Sequence, residues 1–328
     1  MKPRQIVVAT HGHCFDGMAS AAVFARLARH VHRGAALEMR YLSCGYGPNM
    51  SQIPEGWLAG DENAILDFRY TATSRLTWYF DHHKTAFSGE EERASALSGA
   101  GASPGAPPHV FHDAEYGSCT RLIADTAARD FGMATEDLSS LVRWAELIDT
   151  AGFASAADAI RRDEPVLQLA SVVEQHGDRA FLERVVPWLT ERRIEDVARD
   201  PWVQDLWAPI AKAQAALVER VRSRSAVTGR VVVTDLSDAL LETPAKFVSY
   251  ALFPECVYSV TLSRSARHYK LAVGYNPWCG AARTHDIASI CKRYGGGGHA
   301  VVGAATFRIA DEAAARTALG DVARELSA

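Results

Sequence analysis

Short apolar strand patterns alternate with helical patterns through the first half of the 328-residue chain. The strand patterns cover residues 5–10, 37–42, 64–68, 76–80 and 109–112, and the helical patterns cover residues 16–31, 118–131 and 138–148. Such alternation is typical of an α/β domain in which helices flank a largely parallel sheet. Ligand sites in these sheets form beyond the carboxyl ends of the strands. We therefore predict an N-terminal α/β domain with its functional site at that edge.

The second half of the chain predicts a helical connector and then a smaller α/β domain. Helical pattern runs from about residue 156 to residue 222, and four prolines punctuate it: Pro165, Pro187, Pro201 and Pro209. Residues 222–228 have the composition of a linker, and we place the domain boundary there, between residues 1–221 and 222–328. A strand at 230–234, a hairpin of 257–263 with 269–275, and a helix at 286–294 follow. Residues 88–108, rich in Ser, Gly, Ala and Pro, predict a long mobile loop.

Composition and charge restrict the class of protein. The chain is 48% hydrophobic and 23% charged, which excludes a mostly disordered or collagen-like protein. No apolar run reaches the ~18–20 residues of a membrane span. Six cysteines without Cys-x-x-Cys spacing, and no secretion signal, predict free thiols in the cytoplasm and no membrane partner.

The charge is unevenly distributed. Residues 1–221 hold 22 Lys and Arg against 30 Asp and Glu, whereas residues 222–328 hold 13 against 9. An acidic part joined to a basic part suggests a site where cations and an anionic substrate meet. Chance variation of surface charge explains the same numbers equally well.

Four groups of histidines and carboxylates stand at the ends of predicted elements. They are His11 to Asp16 after the first strand, Asp67 after the third, Asp81-His82-His83 after the fourth, and Asp149 after a helix. A single aspartate at such a position is more often a helix cap than a metal ligand. Four groups in this order indicate a metal site, and mixed carboxylate and imidazole ligands suit Mn²⁺, Zn²⁺ or Fe²⁺.

This order of motifs resembles the DHH phosphoesterase superfamily. Residues 148–153 are similar to its fourth motif, and Gly295 to His299 are similar to the Gly-Gly-Gly-x-His signature of the DHH-associated C-terminal domain. The superfamily includes RecJ-type exonucleases, nanoRNases, cyclic-dinucleotide phosphodiesterases, exopolyphosphatases and family II pyrophosphatases. The glycine-histidine signature disfavours the pyrophosphatases, and the first motif looks most like an exopolyphosphatase-like subgroup. The matches extend from residue 6 to about residue 307.

The resemblance implies a hydrolase that cleaves phosphodiester or phosphoanhydride bonds of short or single-stranded nucleic acid, nucleotides or polyphosphate. It implies two divalent ions, expected to be Mn²⁺, with Zn²⁺, Fe²⁺ or Mg²⁺ as alternatives. His11 and Asp67 would hold the first ion. Asp16, Asp67, His82 and Asp149 would hold the second, so Asp67 would bridge the two. His83 would face the phosphate as a general acid or charge stabiliser, which makes His83 and Asp67 the implied catalytic residues.

Cys14 departs from the family pattern, which usually has aspartate at this position. A thiolate favours zinc, whereas Mn²⁺ prefers oxygen ligands, and His13 is an alternative ligand. Either the first ion binds differently, or it binds weakly and the enzyme works with one ion. The departure leaves open a second hypothesis, a non-catalytic nucleotide-binding or sensor relative with an impaired first metal site.

The C-terminal domain is expected to bind the substrate. Successive glycines after a helix would let backbone N–H groups form an anion-binding nest, and the alternative is a flexible loop after a glycine cap. The residues assigned to substrate binding are Gly296, Gly297, Gly298, His299, Arg264, Arg267 and Asn276, with Lys246 beside them. A homodimer is left open.

Overall fold

The computed structural model describes residues 2–45, 52–98, 108–241 and 247–328. Its elements begin with β1 (Arg4–His11), α1 (Phe15–Val31), β2 (Leu37–Cys44), β3 (Glu62–Leu66), β4 (Trp78–Asp81), α2 (Glu90–Ser98), β5 (His109–His112), α3 (Cys119–Phe131) and α4 (Ser139–Asp149). They continue with α5 (Ala156–Ile160), α6 (Pro165–His176), α7 (Arg179–Glu191), α8 (Ile194–Ala198), α9 (Pro201–Arg224), β6 (Ser225–Thr228), β7 (Val231–Leu240), α10 (Val248–Leu252), β8 (Tyr258–Arg264), β9 (His268–Tyr275), α11 (Ile287–Lys292), β10 (Gly297–His299), β11 (Val302–Arg308) and α12 (Glu312–Ser327).

The chain forms two compact units. Unit 1 comprises Met1–Gly152 and Asp163–Trp207, and unit 2 comprises Phe153–Arg162 and Ala208–Ala328. The division falls inside the long helix α9, and the domain boundary at residues 221 and 222 stays a prediction. Within the described ranges, no helix combines the length and the apolar character that crossing a bilayer requires.

Unit 1 is built on a five-stranded parallel sheet in the order β2-β1-β3-β4-β5. Helix α1 packs against α3, α4 and α7 and is buried on nearly all of its faces. Its buried side chains include Ala19, Ala21, Ala22, Ala25 and Ala28, and such small residues allow neighbouring helices to approach closely. This architecture confirms the predicted α/β class.

Unit 2 contains a six-stranded mixed sheet in the order β10-β11-β9-β8-β7-β6. Strands β8 and β9 alternate between apolar and polar residues, and this period of two gives the sheet two different faces. Val260, Leu262, Leu271 and Val273 pack in one core with residues of α12. Ser259, Thr261, Lys270 and Ala272 lie on the opposite face.

Three local expectations were wrong. Within the loop predicted at 88–108, Glu90–Ser98 form α2, whose glutamates and alanines favour a helix, while residues 99–107 fall outside the described ranges. The linker predicted at 222–228 is instead the end of α9 and strand β6, which pairs with β7. Pro187 and Pro209 lie inside α7 and α9, because packing of the flanking turns outweighs one missing hydrogen bond in each helix.

Candidate active site

The predicted metal ligands of unit 1 come together at the carboxyl edge of the parallel sheet. They end or follow β1 (His11), β3 (Asp67) and β4 (His82), or lie in α1 (Asp16) and α4 (Asp149). Adjacent parallel strands end at the same edge, so side chains far apart in the chain share one site.

The turn between β1 and α1 is too tight for any side chain at Gly17. A Cβ atom there would lie 2.1 Å from the carbonyl oxygen of His11. His13 adopts a left-handed backbone conformation, with φ 55°, and its Nδ1 lies 3.3 Å from the carbonyl oxygen of Glu174. The groups of metal-ligating atoms within the described ranges include His11 and Cys14 but not His13.

His11, Cys14 and Asp67 form the first group of ligand atoms, all within 4.8 Å of one another. Burial, together with repulsion from His83, lowers the pKa of His11 to about 4, so its imidazole is neutral and able to bind a metal at neutral pH. Burial raises the pKa of the Cys14 thiol well above its usual range, and the charges of Asp67 and Asp16 add to this. A metal ion at Cys14 must therefore displace a firmly held proton.

Asp16, His82 and Asp149 form the second group within the same distance limit. Nε2 of His82 lies 3.8 Å from Oδ2 of Asp16 and 3.4 Å from Oδ2 of Asp149. Burial raises the pKa of Asp149 to about 6, and repulsion from Asp16 contributes. Two neighbouring carboxylates in this setting favour a bound cation.

Asp67 lies between the two groups. Its Oδ2 is 3.7 Å from Nδ1 of His11, and its Oδ1 is 3.6 Å from Nε2 of His82. Its side chain is 1% exposed, its backbone has a left-handed φ of 53°, and burial with repulsion from Asp16 and Asp81 raises its pKa well above the usual value.

The polar atoms at the centre of this site lack hydrogen bonds. Both carboxylate oxygens of Asp67 and Nε2 of His82 are buried, and no hydrogen bond to them is present within the described part of the chain. Buried polar groups are normally satisfied, so each exception requires an explanation. A divalent cation contacting these three atoms satisfies them and offsets the repulsion among the carboxylates, so the residues present fit a metal.

Neighbouring groups orient the ligands. Nδ1 of His82 lies 3.0 Å from the carbonyl oxygen of Tyr116, which can only accept, so Nδ1 carries the proton and Nε2 has its lone pair free for a metal. The Asp16 carboxylate accepts hydrogen bonds from the backbone N–H groups of Cys119 at 2.7 Å and Thr120 at 3.1 Å. Asp16 therefore also caps α3, whereas the sequence suggested that it could cap α1.

His83 is held by Asp81. Oδ1 of Asp81 lies 2.7 Å from Nδ1 of His83 and accepts the His83 backbone N–H at 3.0 Å, while Oδ2 accepts the Tyr79 hydroxyl at 3.0 Å. The hydrogen bond with Asp81 raises the pKa of His83, and 37% of the His83 side chain is exposed. Sequence reasoning did not assign roles to Asp81 and Tyr79. Their only signal was their spacing of two residues, which puts both on one face of β4.

Unit 2 contains a cavity of about 830 Å³ over the polar face of its sheet. Four of the predicted substrate-binding residues line it: Gly297, Gly298, His299 and Arg264. Nε of Arg264 is buried without a hydrogen bond within the described ranges, so an anionic ligand could satisfy it. Part of the predicted glycine nest is a strand instead, because residues 297–299 pair antiparallel with β11.

The other predicted residues of unit 2 do not line this cavity. Asn276 is 1% exposed, and its amide nitrogen donates to the carbonyl oxygens of Pro254 at 3.1 Å and Cys256 at 2.9 Å. Gly296 lies against β11, and Arg267 is exposed at the hairpin turn. Lys246 lies outside the described residues.

Three solved structures are similar to this chain over nearly all of its length. They are PggH, a pGpG-specific phosphodiesterase from Vibrio cholerae (TM-score 0.69, 16% identity, covering 98% of this chain and 99% of that one); the DHH domain of a member of a family of ribosomal proteins (0.65, 12%, 99% and 88%); and the exonuclease RecJ bound to manganese (0.57, 12%, 98% and 90%). No family model and no curated protein matches the sequence. At these identities the similarity establishes the fold, which agrees with the fold that the sequence motifs implied.

Proposed function

We propose that this chain is a metal-dependent phosphoesterase that hydrolyses phosphodiester or phosphoanhydride bonds in short nucleic acid, nucleotides or polyphosphate. The observation that carries the proposal is the buried Asp67 carboxylate, which has no hydrogen bond and lies between two groups of metal-ligating atoms. The fold similarity to a phosphodiesterase and an exonuclease supports it. The homodimer left open above gains no support from these comparisons.

Two divalent ions would bind at this edge of the sheet. His11, Cys14 and Asp67 would hold the first, and Asp16, Asp67, His82 and Asp149 the second. Bound ions supply two things in such sites, neutralisation of phosphate charge and a water of lowered pKa. Similar RecJ structures contain Mn²⁺ or Mg²⁺, which supports divalent metal use, and we propose Mn²⁺, with Zn²⁺ or Fe²⁺ favoured at the first site by the Cys14 sulfur.

The chain's own residues would complete the reaction. His83, held at Nδ1 by Asp81, would donate a proton to the leaving oxygen or stabilise charge on the phosphate. Asp81 and Tyr79 would act as positioning residues. Arg264 and His299 of unit 2 would bind a phosphate group that does not react, which lowers the KM of substrates that carry one.

The direct test is hydrolysis of bis-p-nitrophenyl phosphate by metal-stripped chain before and after addition of Mn²⁺. We expect activity only with the metal. A panel of di- to pentanucleotides, cyclic dinucleotides, 3′-phosphoadenosine 5′-phosphate and polyphosphate then ranks the substrates. No turnover of any of these with Mn²⁺, Zn²⁺, Fe²⁺ or Mg²⁺ would contradict the proposal.

A second candidate function is a nucleotide-binding or sensor protein without turnover. One observation favours it, the Cys14 thiol, whose pKa is raised and which stands where a carboxylate would bind Mn²⁺ more readily. The same assay separates the two, because a sensor would bind nucleotides in the panel and cleave none of them.

A further inference from the structure

The cavity of unit 2 has two chemically different ends. The register of β8, β9 and β11 sets three rows of side chains across one face of the sheet: Ser259–Gly274–Val302, Thr261–Ala272–Ala304 and Ser263–Lys270–Thr306. Gly274 and Lys270 are four residues apart on β9, which places the outer rows about 13 Å apart at ~3.3 Å per residue. The small residues of the middle row leave the space of the cavity.

The hairpin end of the cavity is cationic. Lys270 belongs to the row at this end, and Arg264 and His268 flank the same turn and also line the cavity. No aspartate or glutamate belongs to the described lining, although the whole chain has a net charge of −4. The unsatisfied Nε of Arg264 adds a directed donor. This end fits a phosphate group.

The opposite end is aromatic and apolar. The Tyr250 hydroxyl accepts a hydrogen bond from Ser259 at 2.8 Å and lies over Gly274, where an added Cβ would approach it to 2.3 Å. Phe247 precedes α10 three residues before Tyr250, and Val302, which is 52% exposed, lies in the same row as Gly274. Together they present apolar surface large enough to pack against a planar ring.

Phe247 adopts an unusual backbone conformation. Its φ of 63° lies in the left-handed region, which aromatic residues rarely occupy. The Phe247 ring packs edge-on against Trp278, with centroids 5.3 Å apart, and Nε1 of Trp278 donates to the carbonyl oxygen of Phe153 at 2.7 Å. Strained residues persist where their surroundings hold them, and they concentrate at ligand sites.

We propose that this cavity binds a nucleoside phosphate, with the base packed on Phe247 and the phosphate at Arg264 and Lys270. This inference rests on the proposed phosphoesterase function and names its substrate class, a substrate that carries a nucleobase rather than polyphosphate. Every base has a π-face that can stack on an aromatic ring. A polyphosphate has no apolar part to bury against Phe247, Tyr250 and Val302.

The test is calorimetric binding to the full chain in EDTA, with AMP, ribose 5-phosphate and tripolyphosphate as probes. We expect AMP to bind about tenfold more tightly than ribose 5-phosphate, which lacks only the base. Phe247→Gly suits a positive φ, so we expect it to keep the melting temperature, lose about tenfold in AMP affinity and leave ribose 5-phosphate binding unchanged. Phe247→Tyr keeps the ring and is the matched control. Lys270→Ala should weaken AMP and ribose 5-phosphate equally.

Three outcomes would overturn the inference: no binding of AMP, tripolyphosphate binding more tightly than AMP, or equal losses for AMP and ribose 5-phosphate in Phe247→Gly. Because these measurements use no metal and no turnover, they are independent of the proposed function. Intact AMP binding without metal-dependent hydrolysis would contradict the phosphoesterase alone.

Discussion

Unit 1 collects its site residues from five separate elements, whereas unit 2 lines its cavity largely from neighbouring strands of one sheet. In unit 1 the collected side chains repel one another, and burial and nearby carboxylates raise the pKa values of Asp67 and Asp149. In unit 2 strand alternation separates an apolar core from a polar face, and no carboxylate belongs to the described lining of the cavity. The first site therefore needs cations for its own stability, and the second does not.

The largest effect is expected at Asp67. Asp67→Asn keeps the size of the side chain and tolerates the left-handed backbone, but it removes the negative charge shared by both groups of ligands. We expect kcat at saturating Mn²⁺ to fall by at least about 1,000-fold, because the proposed ions supply the nucleophile. The melting temperature without metal should stay the same or rise, since repulsion with Asp16 is lost. Retention of more than a tenth of wild-type kcat would contradict the bridging role.

A smaller loss is expected at Asp81, which acts through His83. Asp81→Asn weakens the hydrogen bond at Nδ1 of His83, so we expect kcat to fall by about 100-fold, within the range of general acid catalysis, while KM stays within about twofold. Tyr79→Phe removes only the hydroxyl that contacts Oδ2 of Asp81 and is the control, with a loss below about tenfold. Equal changes in kcat for the two variants would indicate a purely structural role for Asp81.

Sequence reasoning located the ligands but not their support. The order His11, Asp16, Asp67, His82 and Asp149 could be predicted because each residue starts or ends an element with a clear hydrophobic pattern. The contacts of Asp16 with Cys119 and Thr120 span more than 100 residues and depend on how α1 packs against α3, which no local pattern encodes. The left-handed backbone of Asp67 is equally invisible, because it is imposed by the surrounding fold.

The same contrast holds in unit 2. The hairpin of β8 and β9 follows from its alternating residues, and the structure agrees with it. The strand at Gly297–His299 could not be predicted, because glycine has no side chain to show a period of two. Asn276 shows a further limit: its type suggests a ligand contact, but its amide is used by backbone carbonyls.

His299→Ala tests whether unit 2 contributes only to substrate binding. His299 lines the cavity and belongs to β10, which lies at an edge of the sheet, so its removal should leave the core of unit 2 intact. We expect KM for a dinucleotide to rise about tenfold, with kcat within about twofold, because binding away from the reacting bond affects both states alike. Steady-state kinetics check this. A fall in kcat with unchanged KM would place His299 with the reacting groups and remove the contrast between the units.

The smallest effect is expected at Cys14, where a hard ligand replaces a soft one. Cys14→Asp supplies the oxygen that Mn²⁺ prefers, so we expect Mn²⁺ affinity at the first site to rise several-fold and Zn²⁺ preference to fall. Without metal the added carboxylate faces Asp67 and Asp16, which already raise the pKa of the thiol, so the melting temperature should drop and Mn²⁺ should restore it. Calorimetric titration of both proteins with Mn²⁺, alongside melting curves, measures both effects. Cys14→Ser, which adds a hydroxyl but no charge, is the control. An unchanged Mn²⁺ affinity with a lower melting temperature would show that Cys14 is a small core residue and that the first ion, if bound, is held by His11 and Asp67 without it.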